Sequence, residues 1–190
     1  MEIAQSTDLR DYIIQFRGLL SQDTCDEIIA WSKTLPQADT AWDGWELAKS
    51  AVSNTENTLL DSRQCEFTML NQHRGPCHEQ LRLALEHIQQ RYPFYHKATQ
   101  HTGVQLIRYG KGHKFEEHVD TYGAAPRILS ASIVLNDDYE GGELTFWQDK
   151  HKVSDMATGD AVVFPSNFTY PHQVKPITAG TRYVLVVWFE

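Results

Sequence analysis

Three side chains in the second half of the sequence have the types and spacing of metal ligands. His118 and Asp120 stand two positions apart in a β-rich run, and His172 lies near the start of a later one. Residues i and i+2 of a strand point to the same face, about 7 Å apart along the backbone. A fold that pairs the two runs would place two imidazoles and one carboxylate on one side of a metal ion, with three positions open.

Two histidines and one carboxylate with open positions are the facial triad that non-haem iron(II) oxygenases use. A chelating co-substrate takes two of the open positions and dioxygen takes the third. Arg182 lies ten positions after His172, at the start of an apolar run. At the border of a metal pocket its planar guanidinium would suit a bidentate carboxylate, which a dicarboxylate co-substrate supplies. The pair His118 and Asp120 alone is weak evidence, because a surface histidine beside a solvated aspartate gives the same pattern.

The first hundred residues read as mainly helical. Ser21 is typical of a helix N-cap, and it precedes the acidic and apolar run QDTCDEIIAWSKTL. Apolar residues at i, i+3, i+4 and i+7 predict a second helix over residues 76–91. A short strand is expected over residues 64–70, between the two helices.

From residue 102 onward, eight short β-rich runs alternate with turn signals such as Gly141-Gly142. That spacing of strands is typical of a sandwich or jelly roll. The sequence therefore predicts a single α+β domain over residues 1–190. Residues 1–100 would form a mainly helical support, and residues 101–190 a jelly-roll (double-stranded β-helix) core.

Composition excludes several classes of protein. The 190 residues are 41% hydrophobic and 22% charged, which is ordinary for a globular chain and unlike disordered or collagenous sequences. The net charge of −8 weighs against a nucleic-acid partner, and no apolar run reaches the length of a membrane span. Three cysteines without a C-x-x-C pair favour a reducing compartment. We expect a cytoplasmic protein with neither a membrane nor a nucleic-acid partner.

Longer stretches of the chain resemble one family. GGELTFW, GDAVVFPSNFTYPHQV and ITAGTRYVLVVWF are closely similar to the prolyl 4-hydroxylase-like 2-oxoglutarate- and Fe(II)-dependent dioxygenases. IRYGKGHKFEEHVD resembles the first metal strand of that family, in which a tyrosine stands nine residues before the metal histidine. Tyr109 holds that position here. FRGLLSQDTCDEIIAWSK resembles the supporting first helix, so the likeness covers most of the chain.

The resemblance implies a role for each candidate residue. His118, Asp120 and His172 would hold Fe(II), and 2-oxoglutarate would chelate the iron and pair its far carboxylate with Arg182, assisted by the Tyr109 hydroxyl. Dioxygen would be the oxidant, with ascorbate as reductant. The implied reaction hydroxylates a C–H bond while 2-oxoglutarate becomes succinate and carbon dioxide. The substrate would be a proline-containing peptide or protein, a free amino acid or another small molecule.

Residues 39–61 are polar and show no periodicity, and they carry Trp42 and Trp45. A segment of this length without clear structure is often a lid or binding loop. The resemblance implies a loop from this region that closes over the substrate, where the two tryptophans would stack on a proline ring. The alternative is that both tryptophans pack on the helical support.

Three other functions compete with this hypothesis. Nucleic-acid demethylation by the same chemistry is disfavoured, because the AlkB-like branch has a second arginine six residues after the co-substrate arginine and this chain has Trp188 there. A non-catalytic metal-binding or sensing module on the same fold is a second alternative, although the triad and Arg182 are all present. A cupin is the third, and its H-x-H pair with a following glutamate is absent.

Overall fold

The computed structural model describes residues 8–48, 62–70, 74–121 and 127–190, with Arg74 described by its backbone alone. Two α-helices, two 3₁₀ helices and thirteen strands form these parts of the chain. In chain order they are a 3₁₀ helix (Leu9–Tyr12), β1 (Ile14–Phe16), α1 (Gln22–Ser32), β2 (Glu46–Leu47), β3 (Glu66–Met69), α2 (Arg74–Arg91), a 3₁₀ helix (Pro93–Lys97), β4 (Gln105–Tyr109), β5 (Phe115–His118), β6 (Leu129–Val134), β7 (Glu140–Gly141), β8 (Leu144–Phe146), β9 (His151–Lys152), β10 (Ala161–Pro165), β11 (His172–Val174), β12 (Ile177–Ala179) and β13 (Arg182–Phe189).

Both predicted helices are confirmed. α1 begins after Ser21, whose hydroxyl oxygen accepts a hydrogen bond of 3.2 Å from the Thr24 backbone N–H, as an N-cap does. α2 begins two residues before the predicted start, and the face that the periodicity marked is buried, with Leu81 and Ile88 fully enclosed. The helices share a core with the inner residues of the large sheet, such as Leu185. Their packing supports that sheet from one side.

The strands form an antiparallel jelly roll. Seven of them make a major sheet in the order β1-β10-β6-β13-β4-β3-β2, and four make a minor sheet in the order β5-β11-β8-β9. β12 and β7 pair as a separate two-stranded ribbon. Each of the eight runs predicted after residue 102 forms a strand. Apolar side chains of both sheets, including Tyr109 and Val184 from the major sheet and Phe146 from the minor one, pack into a second core.

The division at residue 100 is less sharp than the sequence predicted. β1, β2 and β3 all come from the first hundred residues and join the major sheet. β1 pairs with β10 at one end, and β3 pairs with β4 near the other. Each of these pairings joins strands that are separated by many residues, so no local sequence pattern predicts them. Among the described helices, none is long and apolar enough to cross a membrane.

Candidate metal centre and co-substrate pocket

The register of the minor sheet brings the three predicted metal ligands together. β5 and β11 pair antiparallel, with His118 directly opposite His172. The i, i+2 spacing predicted that Asp120 lies in the same strand as His118. In the structure β5 ends at His118, and Asp120 lies in the bend that follows. Even so, Oδ1 of Asp120 lies 3.5 Å from Nε2 of His118, and Oδ2 lies 3.7 Å from Nε2 of His172. The three side chains offer ligand atoms that all lie within 4.8 Å of one another.

Backbone carbonyl groups orient both imidazoles. Nδ1 of His118 lies 2.8 Å from the carbonyl oxygen of Glu116, and Nδ1 of His172 lies 3.0 Å from that of Tyr170. A carbonyl oxygen only accepts, so Nδ1 carries the proton in each ring. Each Nε2 is then left with its lone pair directed at the space beside Asp120. This is the arrangement in which proteins present histidine to a metal.

A hydrogen-bond chain holds the carboxylate of Asp120. The hydroxyl of Ser130 donates to Oδ2 at 2.5 Å and lies 2.8 Å from the hydroxyl of Ser166. Nη1 of Arg127 donates to the Asp120 carbonyl oxygen at 2.9 Å. None of these three residues was predicted from the sequence. The available signal was Ser130, a serine in the β-rich run RILSASIVLN.

The electrostatics of the site favour the protonation states that a metal requires. Burial raises the pKa of Asp120, but the neighbouring His118 and His172 and the hydrogen bond from Ser130 outweigh it and hold that pKa well below its usual range. Burial also lowers the pKa of His172 to about 4, against the opposing charge of Asp120. At neutral pH the site therefore offers a charged carboxylate and a neutral imidazole. Two imidazole nitrogens and one carboxylate oxygen are a donor set that iron(II) accepts.

Arg182 and Tyr109 lie side by side on two paired strands of the major sheet. They are register partners at the ends of β13 and β4, and both line a cavity of about 290 Å³ that the metal triad also lines. Arg182 is only 3% exposed, its guanidinium carbon lies 5.5 Å from the Tyr109 ring centroid, and its Nε has no acceptor among the described residues. A buried guanidinium without a counterion is costly. The cavity is therefore matched to a ligand carboxylate.

The Tyr109 side chain is held in place by a hydrogen bond and by burial. Its phenol hydrogen-bonds the buried thiol of Cys65, and burial raises the pKa of Tyr109 above its usual value, so the hydroxyl stays protonated. A protonated phenol beside Arg182 can donate a hydrogen bond to an anion. The geometry thus fits the co-substrate role that the sequence assigned to both residues.

The two tryptophans of residues 39–61 lie in different environments. Trp45 is 1% exposed, its indole N–H donates to the Ser32 carbonyl oxygen at 2.9 Å, and the Arg108 guanidinium lies over its ring at 4.2 Å. The expectation that Trp45 stacks on a substrate is therefore wrong in this structure, because the ring is enclosed against the end of α1. Trp42 is 65% exposed. Residues 49–61, the rest of the predicted lid, lie outside the described residues.

Comparison with known proteins identifies the second half of the chain. Residues 104–190, from β4 to β13, match the 2OG-Fe(II) oxygenase superfamily. A PKHD-type hydroxylase of Acaryochloris marina is 30% identical over 125 residues, which cover 62% of this chain and 56% of that protein. A PKHD-type hydroxylase of Prochlorococcus marinus is 29% identical over 178 residues, which cover 87% of this chain and 73% of that protein. The chain thus spans little more than half of the first relative.

Solved structures share the fold. A prolyl-4-hydroxylase of Pseudomonas putida superposes with a TM-score of 0.64 at 20% identity, over 94% of this chain and 92% of that one. A prolyl hydroxylase of Trichoplax adhaerens, solved with a hypoxia inducible factor peptide fragment, superposes with a TM-score of 0.68 at 17% identity, over 94% of this chain and 83% of that one. The jelly-roll architecture predicted from the sequence is confirmed. The second half of the chain is thus similar to the 2OG-Fe(II) oxygenase superfamily, and the fold is that of the solved prolyl hydroxylases.

Proposed function

We propose that the protein is a 2-oxoglutarate- and Fe(II)-dependent dioxygenase that hydroxylates a C–H bond of its substrate. One observation carries the proposal. The cluster of His118, Asp120 and His172 lines a cavity between the two sheets, and so does the buried Arg182, whose Nε has no hydrogen-bond partner among the described residues. A metal-binding module without catalysis needs the cluster alone, whereas a dicarboxylate co-substrate needs both halves.

Each residue has a distinct task in this reaction. His118, Asp120 and His172 would hold Fe(II), which supplies the activation of dioxygen when it is bound. Arg182 would bind the far carboxylate of 2-oxoglutarate through its planar fork, and the Tyr109 hydroxyl would donate to the same group. The apolar walls of the cavity exclude water and so protect the reaction from side products. Ascorbate as the reductant is part of the proposal.

Proline in a peptide is the proposed target. The named relatives that share this fold include prolyl hydroxylases, one of them solved with a peptide. Apolar side chains such as Phe115, Val186 and Trp188 line the cavity beside the triad, and a proline ring offers them C–H faces without charge. A free amino acid or another small molecule is the alternative, because nothing in the cavity itself requires a peptide. Trp188, where a demethylase of the AlkB type would have arginine, disfavours a nucleic-acid substrate.

The proposal is tested by succinate release from 2-oxoglutarate with Fe(II) and dioxygen, with and without ascorbate. We expect wild-type protein to release succinate, and we expect His118→Ala and His172→Ala to abolish the release because each removes one of three metal ligands. His113→Ala is the matched control. His113 accepts a backbone hydrogen bond from Gly110 at 3.2 Å and is not part of the metal cluster. Full turnover in a purified, folded His172→Ala variant would reject the assignment.

A further inference from the structure

Besides Arg182 and Arg127, a third arginine, Arg63, lines the cavity, and it hydrogen-bonds the Cys65 thiol that also contacts Tyr109. Arg63 lies just before β3, and its guanidinium carbon is 4.9 Å from the ring centroid of Phe115 and 5.6 Å from that of Phe67. The Phe115 ring stacks on the imidazole of His118, with centroids 3.6 Å apart and planes 15° from parallel. The Arg63 charge therefore sits against an aromatic ring that itself contacts a metal ligand.

Arg63 has no carboxylate partner in the structure that is described. Its Nε is buried without an acceptor, and the side-chain hydrogen bond it makes is to the thiol of Cys65. Arg108 on the adjacent strand shows the contrast, because its guanidinium forms a two-point ion pair with Glu66 at 2.6 and 3.0 Å. A guanidinium held between aromatic rings is positioned, but its charge is not neutralised.

The charges of the proposed reaction leave this arginine unmatched. The two positive charges of Fe(II) and the one of Arg182 balance the three negative charges of Asp120 and the two carboxylates of 2-oxoglutarate. Asp120 supplies the one carboxylate among the described residues that line the cavity, whereas Arg63 and Arg127 add two further positive charges. Arg127 is held by the Asp120 carbonyl oxygen and lies over the Trp188 ring, whereas the described lining leaves the charge of Arg63 without an opposite charge. In a cavity of low polarity an uncompensated charge is stabilised far more by an anion than by a neutral carbonyl group.

A neighbouring cavity adds positive charge next to Arg63. Arg63 also borders a cavity of about 370 Å³, whose described lining includes Lys111 and His113 and no carboxylate. A ligand that reaches Arg63 therefore meets a surface that attracts anions.

We propose that Arg63 is a specificity-determining residue that binds a carboxylate of the substrate. The inference rests on the proposed function and narrows it, because the substrate would be a carboxylic acid. Its carboxylate comes either from a free amino acid or from the C-terminal residue of a peptide. The planar fork of arginine fits a carboxylate through two parallel hydrogen bonds, which an internal amide cannot accept.

Paired probes separate the acid from its amide. The protein is loaded with Zn²⁺ and 2-oxoglutarate, so that binding is read from thermal stabilisation without turnover. The probes are the protein amino acids and their N-acetyl derivatives, each beside the matching amide. Free amino acids represent the small-molecule source, and N-acetyl amino acids represent a peptide C-terminus. We expect at least one acid to bind about tenfold or more tightly than its amide.

Arg63→Gln should reduce that preference to near one, and Arg63→Lys should retain part of it because the charge remains. Arg82→Gln is the control, since Arg82 lies exposed on α2 with Glu79 and Glu86 as partners, and it should change nothing. Equal binding of acids and amides to wild-type protein, binding of none of the acids, or an acid preference that survives in Arg63→Gln would each overturn the proposal. The wild-type comparison decides even where Arg63→Gln fails to fold. Absence of succinate release with Fe(II) would instead reject the proposed function, so the two failures are distinguishable.

Discussion

The two halves of the cavity are built on opposite principles. At the metal end, every ligand is held by the protein itself: carbonyl groups orient His118 and His172, and Ser130 fixes Asp120. At the other end, Arg182 lies buried with an unsatisfied Nε. The first half is complete before a ligand arrives, whereas the second half is completed by the ligand. Mutations at the metal end should therefore weaken metal binding, and mutations at the Arg182 end should weaken 2-oxoglutarate binding.

The largest expected effect is at the Arg182 end. Arg182→Ala should raise the 2-oxoglutarate requirement by tenfold or more, because loss of a buried, charge-assisted pair costs roughly 2–5 kcal/mol. Metal affinity should not change, since Arg182 touches none of the three ligands in the described contacts. Titration of 2-oxoglutarate into Zn²⁺-loaded protein measures the first effect, and titration of Zn²⁺ alone measures the second. A variant that loses metal and keeps 2-oxoglutarate affinity would reverse the assignment of the two ends.

Ser130→Ala should produce the opposite pattern. It removes the hydroxyl that donates to Asp120, and outer partners of metal ligands typically contribute about 10–100-fold to metal affinity. Once the metal is bound, the affinity for 2-oxoglutarate should stay near that of the wild type. Competition with a chelator reports the metal affinity. Ser132→Ala, two residues along the same strand and also on the cavity wall, is the matched control.

Tyr109→Phe should give the smallest of the three effects. The substitution removes one hydroxyl donor beside Arg182, and one hydrogen bond contributes about 0.5–1.5 kcal/mol. The 2-oxoglutarate requirement should rise a few-fold, in the same direction as in Arg182→Ala. Calorimetric titration of both variants under the same conditions ranks them. An effect larger than that of Arg182→Ala would mean that the phenol, and not the guanidinium, is the main anion partner.

The elements that local patterns encode could be predicted from the sequence. The helix face marked by Leu81 and Ile88, the N-cap at Ser21 and the eight later strands depend on spacing within a short stretch of chain. The metal triad and Arg182 were predicted from the two-residue spacing of His118 and Asp120 and from the interval of ten residues after His172. The cluster that the structure shows agrees with that choice.

The remaining features depend on contacts between distant parts of the chain. β1 joins β10 across more than a hundred residues, so its sheet partner has no local signature. Trp45 is buried by a hydrogen bond to the end of α1 and by Arg108, and neither contact follows from the irregular sequence around it. Arg63 acquires its place only when Phe67 and Phe115 meet from two different sheets. Pairing of this kind is a property of the fold and not of a motif.

Unfolding of the metal-free protein, with and without 2-oxoglutarate, tests the contrast between the two ends most directly. Arg182→Met should be at least as stable as the wild type without ligand, because it removes a buried charge that has no counterion in the described parts of the chain. Ser130→Ala should be less stable by about 1–3 kcal/mol, because it leaves buried polar groups unsatisfied. Added 2-oxoglutarate should stabilise the wild type and Ser130→Ala but not Arg182→Met. If Arg182→Met is clearly destabilised without ligand and is still stabilised by 2-oxoglutarate, Arg182 is not the residue that binds the co-substrate carboxylate.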